Sequence, residues 1–278
     1  MKQPDLTAAT RLFALLGDPV SHSLSPVIHN AALKSLGLDG VYVALRCKSA
    51  DVAGAIQLLA RAGGGGNVTV PHKQTAARAV EQRTTAAERT GACNTFWLEN
   101  GRVTGDNTDV AGFARALAQF VGDVKGARVL LLGAGGAARA VVAALTDAGV
   151  EAIDVITRRP EQVQELFPLA GKTQTRSVSS LSERYELIVQ STPIGLHEDD
   201  PLPFDPDRVQ GTPAVMDLVY RPGGTRLVQA MRATRARAVD GTEMLLQQAA
   251  ESFERWWHTP APLDVMRAAL NPPNPATL

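Results

Sequence analysis

The chain has 278 residues, 45% of them hydrophobic and 20% charged, which suits a folded protein of about two ordinary domains. Lys and Arg (28) balance Asp and Glu (28), so the broad positive field that nucleic-acid binding requires is missing, and any anionic ligand must be held by a local cluster. Two cysteines, Cys47 and Cys93, are too few for a disulfide framework or a cysteine-based zinc site, and reduced thiols in a cytoplasmic protein are the simpler reading.

In chain order, strand-like and helix-like segments alternate, which predicts an α/β architecture with largely parallel sheets. Residues 12–16 read as a strand, too short for the apolar core of a signal peptide. Ser25-Pro26 opens a helix that stops at Gly37. A second strand at 41–45 precedes a helix at 52–62 that ends in the glycines Gly63 to Gly66. A short strand is predicted at 67–70, after which Pro71 starts another helix. A second block begins near Gly126 with a continuous apolar strand at 127–132, of the kind buried on both faces. A glycine-rich turn, an alanine-rich helix to about 148 and strands at 152–157, 187–190 and 215–219 follow. Residues 271–278, with three prolines, read as a loose tail. No segment matches a membrane span of roughly 18 uncharged apolar residues, since even 129–145 contains Arg139.

The segment Gly133-Ala134-Gly135-Gly136-Ala137-Ala138 lies between a buried strand and a helix, the context in which such a pattern binds a dinucleotide. Gly133 permits the tight turn, Gly135 leaves room for a pyrophosphate, and the helix N-terminus offers free N–H groups and the positive end of its dipole. NAD-binding folds usually end the next strand in Asp or Glu, which accepts from the ribose 2′-hydroxyl. Here that strand ends Thr157-Arg158-Arg159, and Asp154 lies inside it. Two guanidinium groups suit a 2′-phosphate, and one charge-assisted bond shifts preference by about one to two decades, so NADP is the expected cofactor.

Strand alternation puts Asn67 and Thr69 on one face and Val68 and Val70 on the other, with Lys73 one helical turn beyond. It likewise pairs Ser23 with Ser25 and turns Leu24 away. With Gly91-Ala92-Cys93-Asn94-Thr95 and Gly105-Asp106-Asn107-Thr108-Asp109, the first part of the chain supplies hydroxyls and amides suited to a polyol, one ammonium and one carboxylate. Each has a plainer reading. Ser25 could cap its helix, Asp109 could cap a helix at 110–119, and a lone lysine is usually a solvated surface residue. His22, His29 and His72 show no metal-site spacing and read as packing residues.

The ordered blocks resemble the shikimate dehydrogenase family. Gly17-Asp18-Pro19 through His29-Asn30 is similar to its opening signature, Asn67 through Lys73 to its lysine motif, Gly105 through Asp109 to its aspartate motif and Gly133 through Arg139 to its cofactor turn. Asp217-Leu218-Val219-Tyr220 and Met244 through Ala249 are similar to its last two blocks. The resemblance implies reversible NADP-dependent reduction of 3-dehydroshikimate to shikimate, in the biosynthesis of aromatic amino acids. It makes Lys73 and Asp109 the catalytic pair, Lys73 as general acid/base, with Ser23, Ser25, Asn67, Thr69, Asn94 and Gln248 holding the substrate and Tyr220 near it. It assigns Gly133, Ala134, Gly135, Gly136, Ala137 and Arg158 to the cofactor, and Thr157 is expected there from its place at the strand end alone. Where the family has Asn-Arg-Thr this chain has Thr157-Arg158-Arg159, so Arg159 rests on charge alone.

The resemblance also implies a substrate domain at 1–109 plus 241–278, a Rossmann-type NADP domain at 110–240, and an active site in the cleft between them. A monomer or homodimer with a small-molecule substrate, no metal, no nucleic acid and no membrane partner is expected. A paralogue acting on quinate or an aminoshikimate is the alternative. A non-catalytic dinucleotide sensor would have lost the lysine or the aspartate. A short-chain dehydrogenase needs Tyr-x-x-x-Lys, which Tyr42, Tyr185 and Tyr220 all lack, and a zinc dehydrogenase needs more cysteine ligands.

Overall fold

Residues 6–171, 173–177 and 184–270 are described by a computed structural model. Chain contacts divide them into two units, one holding the residues up to Thr108 together with those from Leu245 onward, the other Asp109–Met244. The tail at 271–278 lies outside the described residues.

The first unit runs β1 (Arg11–Gly17), α1 (Ser25–Leu36), β2 (Gly40–Arg46), α2 (Val52–Arg61), β3 (Gly65–Val68), α3 (Lys73–Ala79), β4 (Gln82–Arg83), α4 (Thr85–Thr90), β5 (Thr95–Glu99) and β6 (Arg102–Asp106). Its six strands form one sheet in the order β2-β1-β3-β5-β6-β4. Along β1 the side chains alternate between two cores: Ala14 and Leu16 join Ile56, Val68 and Phe96, while Phe13 and Leu15 join Tyr42, Trp97 and Trp256. The sheet is mixed rather than parallel, because β5 runs antiparallel to both β3 and β6. Asn100-Gly101 joins β5 to β6 with both residues at positive φ (49° and 76°), the geometry of a tight hairpin turn.

The expected strand at 67–70 is displaced. β3 starts inside the glycine run and ends at Val68, so the run is not the tail of α2. Close packing explains why glycine is needed there: a Cβ on Gly64 would lie 1.9 Å from the Leu12 carbonyl oxygen, and one on Gly66 2.0 Å from that of Ala14. Val70, expected on the face of Val68, is 64% exposed beyond the strand. The helix predicted from Pro71 begins at Lys73, with His72 as its N-cap, so Lys73 is the first helical residue rather than one turn in.

The second unit takes α5 (Thr108–Phe120) from Asp109 onward, then β7 (Arg128–Leu132), α6 (Gly136–Asp147), β8 (Ala152–Ile156), α7 (Phe167–Ala170), β9 (Gln174–Ser177), β10 (Leu187–Gln190), β11 (Ala214–Asp217), α8 (Arg226–Ala233) and β12 (Ala238–Val239). Its sheet is wholly parallel, in the order β12-β11-β10-β7-β8-β9. The order reverses between β7 and β10, which is the switch point where doubly wound sheets bind ligands. Val129 and Leu131 of β7 enter one core and Leu130 and Leu132 the other, so both faces are covered.

The chain then forms α9 (Thr242–Trp257) and α10 (Leu263–Leu270). From Leu245 on, these belong to the first unit, where Leu246, Ala249, Phe253 and Met266 pack against Ile28, Ala32 and Leu33 of α1. Among the described residues no helix is long and apolar enough to cross a membrane.

Two buried carboxylates of the second sheet titrate in opposite directions. Burial alone would raise Asp154, but the Arg176 guanidinium (2.7 and 3.0 Å), the Tyr185 hydroxyl (2.8 Å) and the charge of Arg128 outweigh it and hold its pKa below the ordinary value. Asp217 accepts only neutral donors, Thr225 Oγ1 at 2.7 Å and the Val219 amide at 3.0 Å, and burial pushes its pKa up to about 6.

Two stability measurements follow. Gly66→Ala should cost about 3 kcal/mol or more in urea denaturation, because backbone lies in the way on a neighbouring strand. Gly54→Ala, in the open interior of α2, should gain about 0.5–1 kcal/mol. Asp217 is protonated more readily folded than unfolded, so its effect favours the fold as pH falls from 7 through about 6 toward the ordinary carboxylate value. Relative to Asp217→Asn, the parent should therefore gain about 1–3 kcal/mol between pH 7 and pH 4.5; an unchanged difference would refute a raised Asp217.

Candidate functional site

Within the first unit, five of the predicted substrate residues share one hydrogen-bonded network. Ser25 does not cap α1: the N-cap is Leu24, and Ser25 is the buried first helical residue. Ser23 Oγ donates to Ser25 Oγ and accepts from the Ser25 amide, both at 3.2 Å. Ser25 in turn bonds the phenol of Tyr42, whose hydroxyl donates to Asn67 Oδ1 at 2.8 Å. Burial holds that phenol well above its ordinary pKa, so it stays a neutral donor.

Asn67 Nδ2 donates to the Asn94 carbonyl and to Ser252 Oγ, each at 3.0 Å. Ser252 Oγ lies 3.0 Å from Thr108 Oγ1 and donates to the Gln248 carbonyl at 3.0 Å. Asn94 closes the set: its Oδ1 accepts the Thr108 amide at 2.8 Å, and its Nδ2 reaches Thr108 Oγ1 at 3.0 Å and Gln248 Oε1 at 3.5 Å.

Thr69 follows β3 half-buried, and its hydroxyl makes no hydrogen bond among the described residues. Lys73, half-buried, heads α3, and its carbonyl accepts the Cys93 amide at 2.9 Å, which ties it to the segment carrying Asn94. Asp109 is buried in the first turn of α5, one residue past its start, so it is not the helix cap; a carboxylate there is favoured by the helix dipole.

Tyr42, Ser252 and Thr108 were not singled out from sequence. Ser252 lies four residues after Gln248, one helical turn along the same face of α9, a spacing that could have found it. Tyr42 sits in mid-strand and gives no such signal. Asn30 clamps its backbone, donating to the Tyr42 carbonyl at 2.8 Å and accepting the Tyr42 amide at 2.9 Å. His29 stacks on its ring at a centroid distance of 4.4 Å, and burial lowers the His29 pKa to about 3, so it packs as a neutral ring. His72 is also a supporting residue, with Nε2 2.7 Å from the Cys47 carbonyl oxygen. Both cysteines are free and buried.

The second unit holds the glycine turn at the switch point of its own sheet. Gly133, at φ 101°, follows β7, and a Cβ there would lie 2.9 Å from Ser191 Oγ beyond β10. Gly135 is the N-cap of α6, no side chain caps the helix, and a Cβ on Gly135 would project into open space. Ala134, Gly136 and Ala137 complete the turn. The turn leaves the run of N–H groups at the start of α6 uncovered by side chains, and it fits a pyrophosphate. Thr157, Arg158 and Arg159 follow β8; the Thr157 hydroxyl accepts the Arg159 amide at 3.2 Å, both arginines are exposed, and no described residue pairs with either guanidinium. Asp154, bound to Arg176 and Tyr185, has no place for a ribose. Tyr220 is half-buried in the loop after β11. Among the described residues no group of three or more His, Cys, Asp or Glu could hold a metal ion.

Comparison with known proteins matches these features in order. Family models match at residues 15–96 (shikimate dehydrogenase substrate binding domain), 115–194 (shikimate/quinate 5-dehydrogenase) and 241–270 (shikimate 5′-dehydrogenase C-terminal domain). The chain is similar to shikimate dehydrogenase (NADP(+)) of Halobacterium salinarum, 40% identical over 93% of this chain and 98% of that one. Among solved structures, shikimate dehydrogenase from Aquifex aeolicus aligns with a TM-score of 0.88 at 34% identity, over 96% and 100% of the two chains. Shikimate 5-dehydrogenase from Thermus thermophilus, in complex with NADP(H) and shikimate, aligns with a TM-score of 0.85 at 37% identity, over 93% and 97%. With such identity sustained over nearly the whole of both chains, this protein belongs to the shikimate dehydrogenase family.

Proposed function

We propose that the chain is an NADP-dependent shikimate dehydrogenase, reversibly reducing 3-dehydroshikimate to shikimate in the cytoplasm, as a monomer or homodimer. The observation that carries this reading is the buried network joining Ser23, Ser25, Asn67, Asn94 and Gln248, neutral hydrogen-bonding groups that suit a small polyhydroxylated acid. Family membership gives the reaction class. On this reading the first unit is the substrate domain and the second the cofactor domain.

The turn from Gly133 to Ala137 and the first N–H groups of α6 would hold the pyrophosphate of NADP, and Arg158 and Arg159 its 2′-phosphate, with Thr157 shaping their loop. When bound, the cofactor gives or takes the hydride. The chain's own residues manage the proton and the geometry. In the reductive direction the Lys73 ammonium gives a proton to the C3 oxygen as the carbonyl becomes a carbinol; in the oxidative direction the amine takes it back. Asp109 orients Lys73 and accepts from a substrate hydroxyl, and Tyr220 borders the ring. Thr69 brings an uncommitted hydroxyl. The Ser23–Ser25 bond is 3.2 Å, long enough for a ligand carboxylate to replace.

The assay is absorbance at 340 nm with shikimate or quinate and NADP⁺ or NAD⁺. The shikimate and NADP⁺ pair should give the highest kcat/KM; quinate in the lead would shift the assignment to the paralogous activity, and no rate with any pair would refute the enzyme reading. Lys73→Ala should lower kcat by about 10²–10⁴ with the fold intact, and a normal kcat would remove Lys73 from its role. Replacing Arg158 and Arg159 by alanine should raise the NADP⁺ KM about 10- to 100-fold and leave that for NAD⁺ unchanged.

A further inference from the structure

Asn67 is gripped at three points, and the grip determines what it can offer a ligand. Its two amide hydrogens are both spent inside the protein, on the Asn94 carbonyl and on Ser252 Oγ. The amide cannot turn over, because a reversed amide would set its oxygen against the Asn94 carbonyl oxygen with no proton between them. Tyr42 takes one of the two acceptor positions of Oδ1. What is left open is a single lone pair.

Ser252 is no freer than Asn67. With its one proton on the Gln248 carbonyl, Ser252 Oγ is the acceptor of its 3.0 Å pair with Thr108 Oγ1, whose proton Asn94 Oδ1 at 3.1 Å also attracts. Ser252 Oγ thus accepts from Asn67 and Thr108 while donating to Gln248, which uses every bonding position of a hydroxyl. Tyr42 is set with similar care: Asn30 holds its backbone from both sides, His29 stacks on its ring, and Ser25 bonds its oxygen. All these residues belong to the first unit.

We propose that Tyr42 and Ser252 are positioning residues that lock the plane and polarity of the Asn67 amide, so that it meets the substrate as an acceptor only and selects a ring hydroxyl that donates to it. The inference rests on the shikimate reading above and adds the sense of one hydrogen bond together with the two residues that impose it. Tyr42→Phe keeps the stacked ring and the backbone clamp and removes the hydroxyl that partners Asn67 Oδ1 and Ser25. Ser252→Ala leaves one Asn67 N–H without an acceptor, while the Thr108 hydroxyl keeps Asn94 Oδ1 at 3.1 Å. In either variant the amide is free to tilt.

The test is calorimetric binding of shikimate and of analogues in which one ring hydroxyl is replaced by hydrogen or by fluorine, which accepts but does not donate. In the parent, at one ring position both replacements should weaken binding about 10- to 100-fold, and equally. In Tyr42→Phe and in Ser252→Ala that loss should shrink to less than about threefold, with NADP⁺ affinity unchanged, and Ser252→Thr should restore it. If fluorine is tolerated at every position, Asn67 donates and the proposal is overturned. It is also overturned if either variant keeps the parental pattern of losses. A parent that binds no shikimate at all overturns the functional reading beneath it, an outcome distinct from both.

Discussion

A buried amide must satisfy its own donors before it serves a ligand, and the first unit is arranged around that requirement at Asn67. The side chain sits beneath the sheet surface, where an N–H without a partner costs on the order of 1–3 kcal/mol. Asn94, Ser252 and Tyr42 come from a loop, a helix and a strand far apart in sequence, and each meets one valence of the amide. Helix α9 is held against α1 by an apolar cluster, and that packing is what keeps Ser252 and Gln248 within reach. The polar network and the hydrophobic core of this unit are therefore one construction: loosening the helix would leave the amide unsatisfied.

The second unit solves a different problem, one of room. On the proposed reading a phosphate must come close to backbone N–H groups, which the removal rather than the addition of side chains allows. Gly133 and Gly135 clear the turn, and the switch point of the sheet places that turn where no neighbouring crossover covers it. Charge is kept apart from this cradle. The carboxylate inside β8 is neutralised within the sheet by Arg176, while Arg158 and Arg159 are exposed after the strand. An acid and a pair of bases only a few residues apart thus have separate duties.

Much of this was legible in the sequence because it depends on local pattern. The parallel strands of the second unit, the stop of α1 at Gly37 and the helix that follows Gly135 all came from periodicity and turn chemistry. What was misread depends on contacts distant along the chain. The glycines at 64–66 read as a helix ending, yet Gly64 and Gly66 are demanded by the backbone of β1 packing against them and Gly65 by that of β5. The hairpin at Asn100-Gly101 carries its signal in two residues only, and without it the first sheet reads as parallel. The start of α3 slipped from Pro71 to Lys73. At the site, the family motifs pointed to the groups proposed to meet a ligand, whereas Tyr42 and Ser252 belong to no motif. Their importance comes from which atoms they touch, and only a folded chain reveals that.

The most direct test of this account is a structure determined with shikimate bound. A ring hydroxyl should lie within about 3.2 Å of Asn67 Oδ1, on the side away from Tyr42, with Asn67 Nδ2 still on the Asn94 carbonyl and Ser252 Oγ. A ligand hydroxyl seated on Asn67 Nδ2 in place of Ser252, or a ligand bound away from Asn67 altogether, would contradict it.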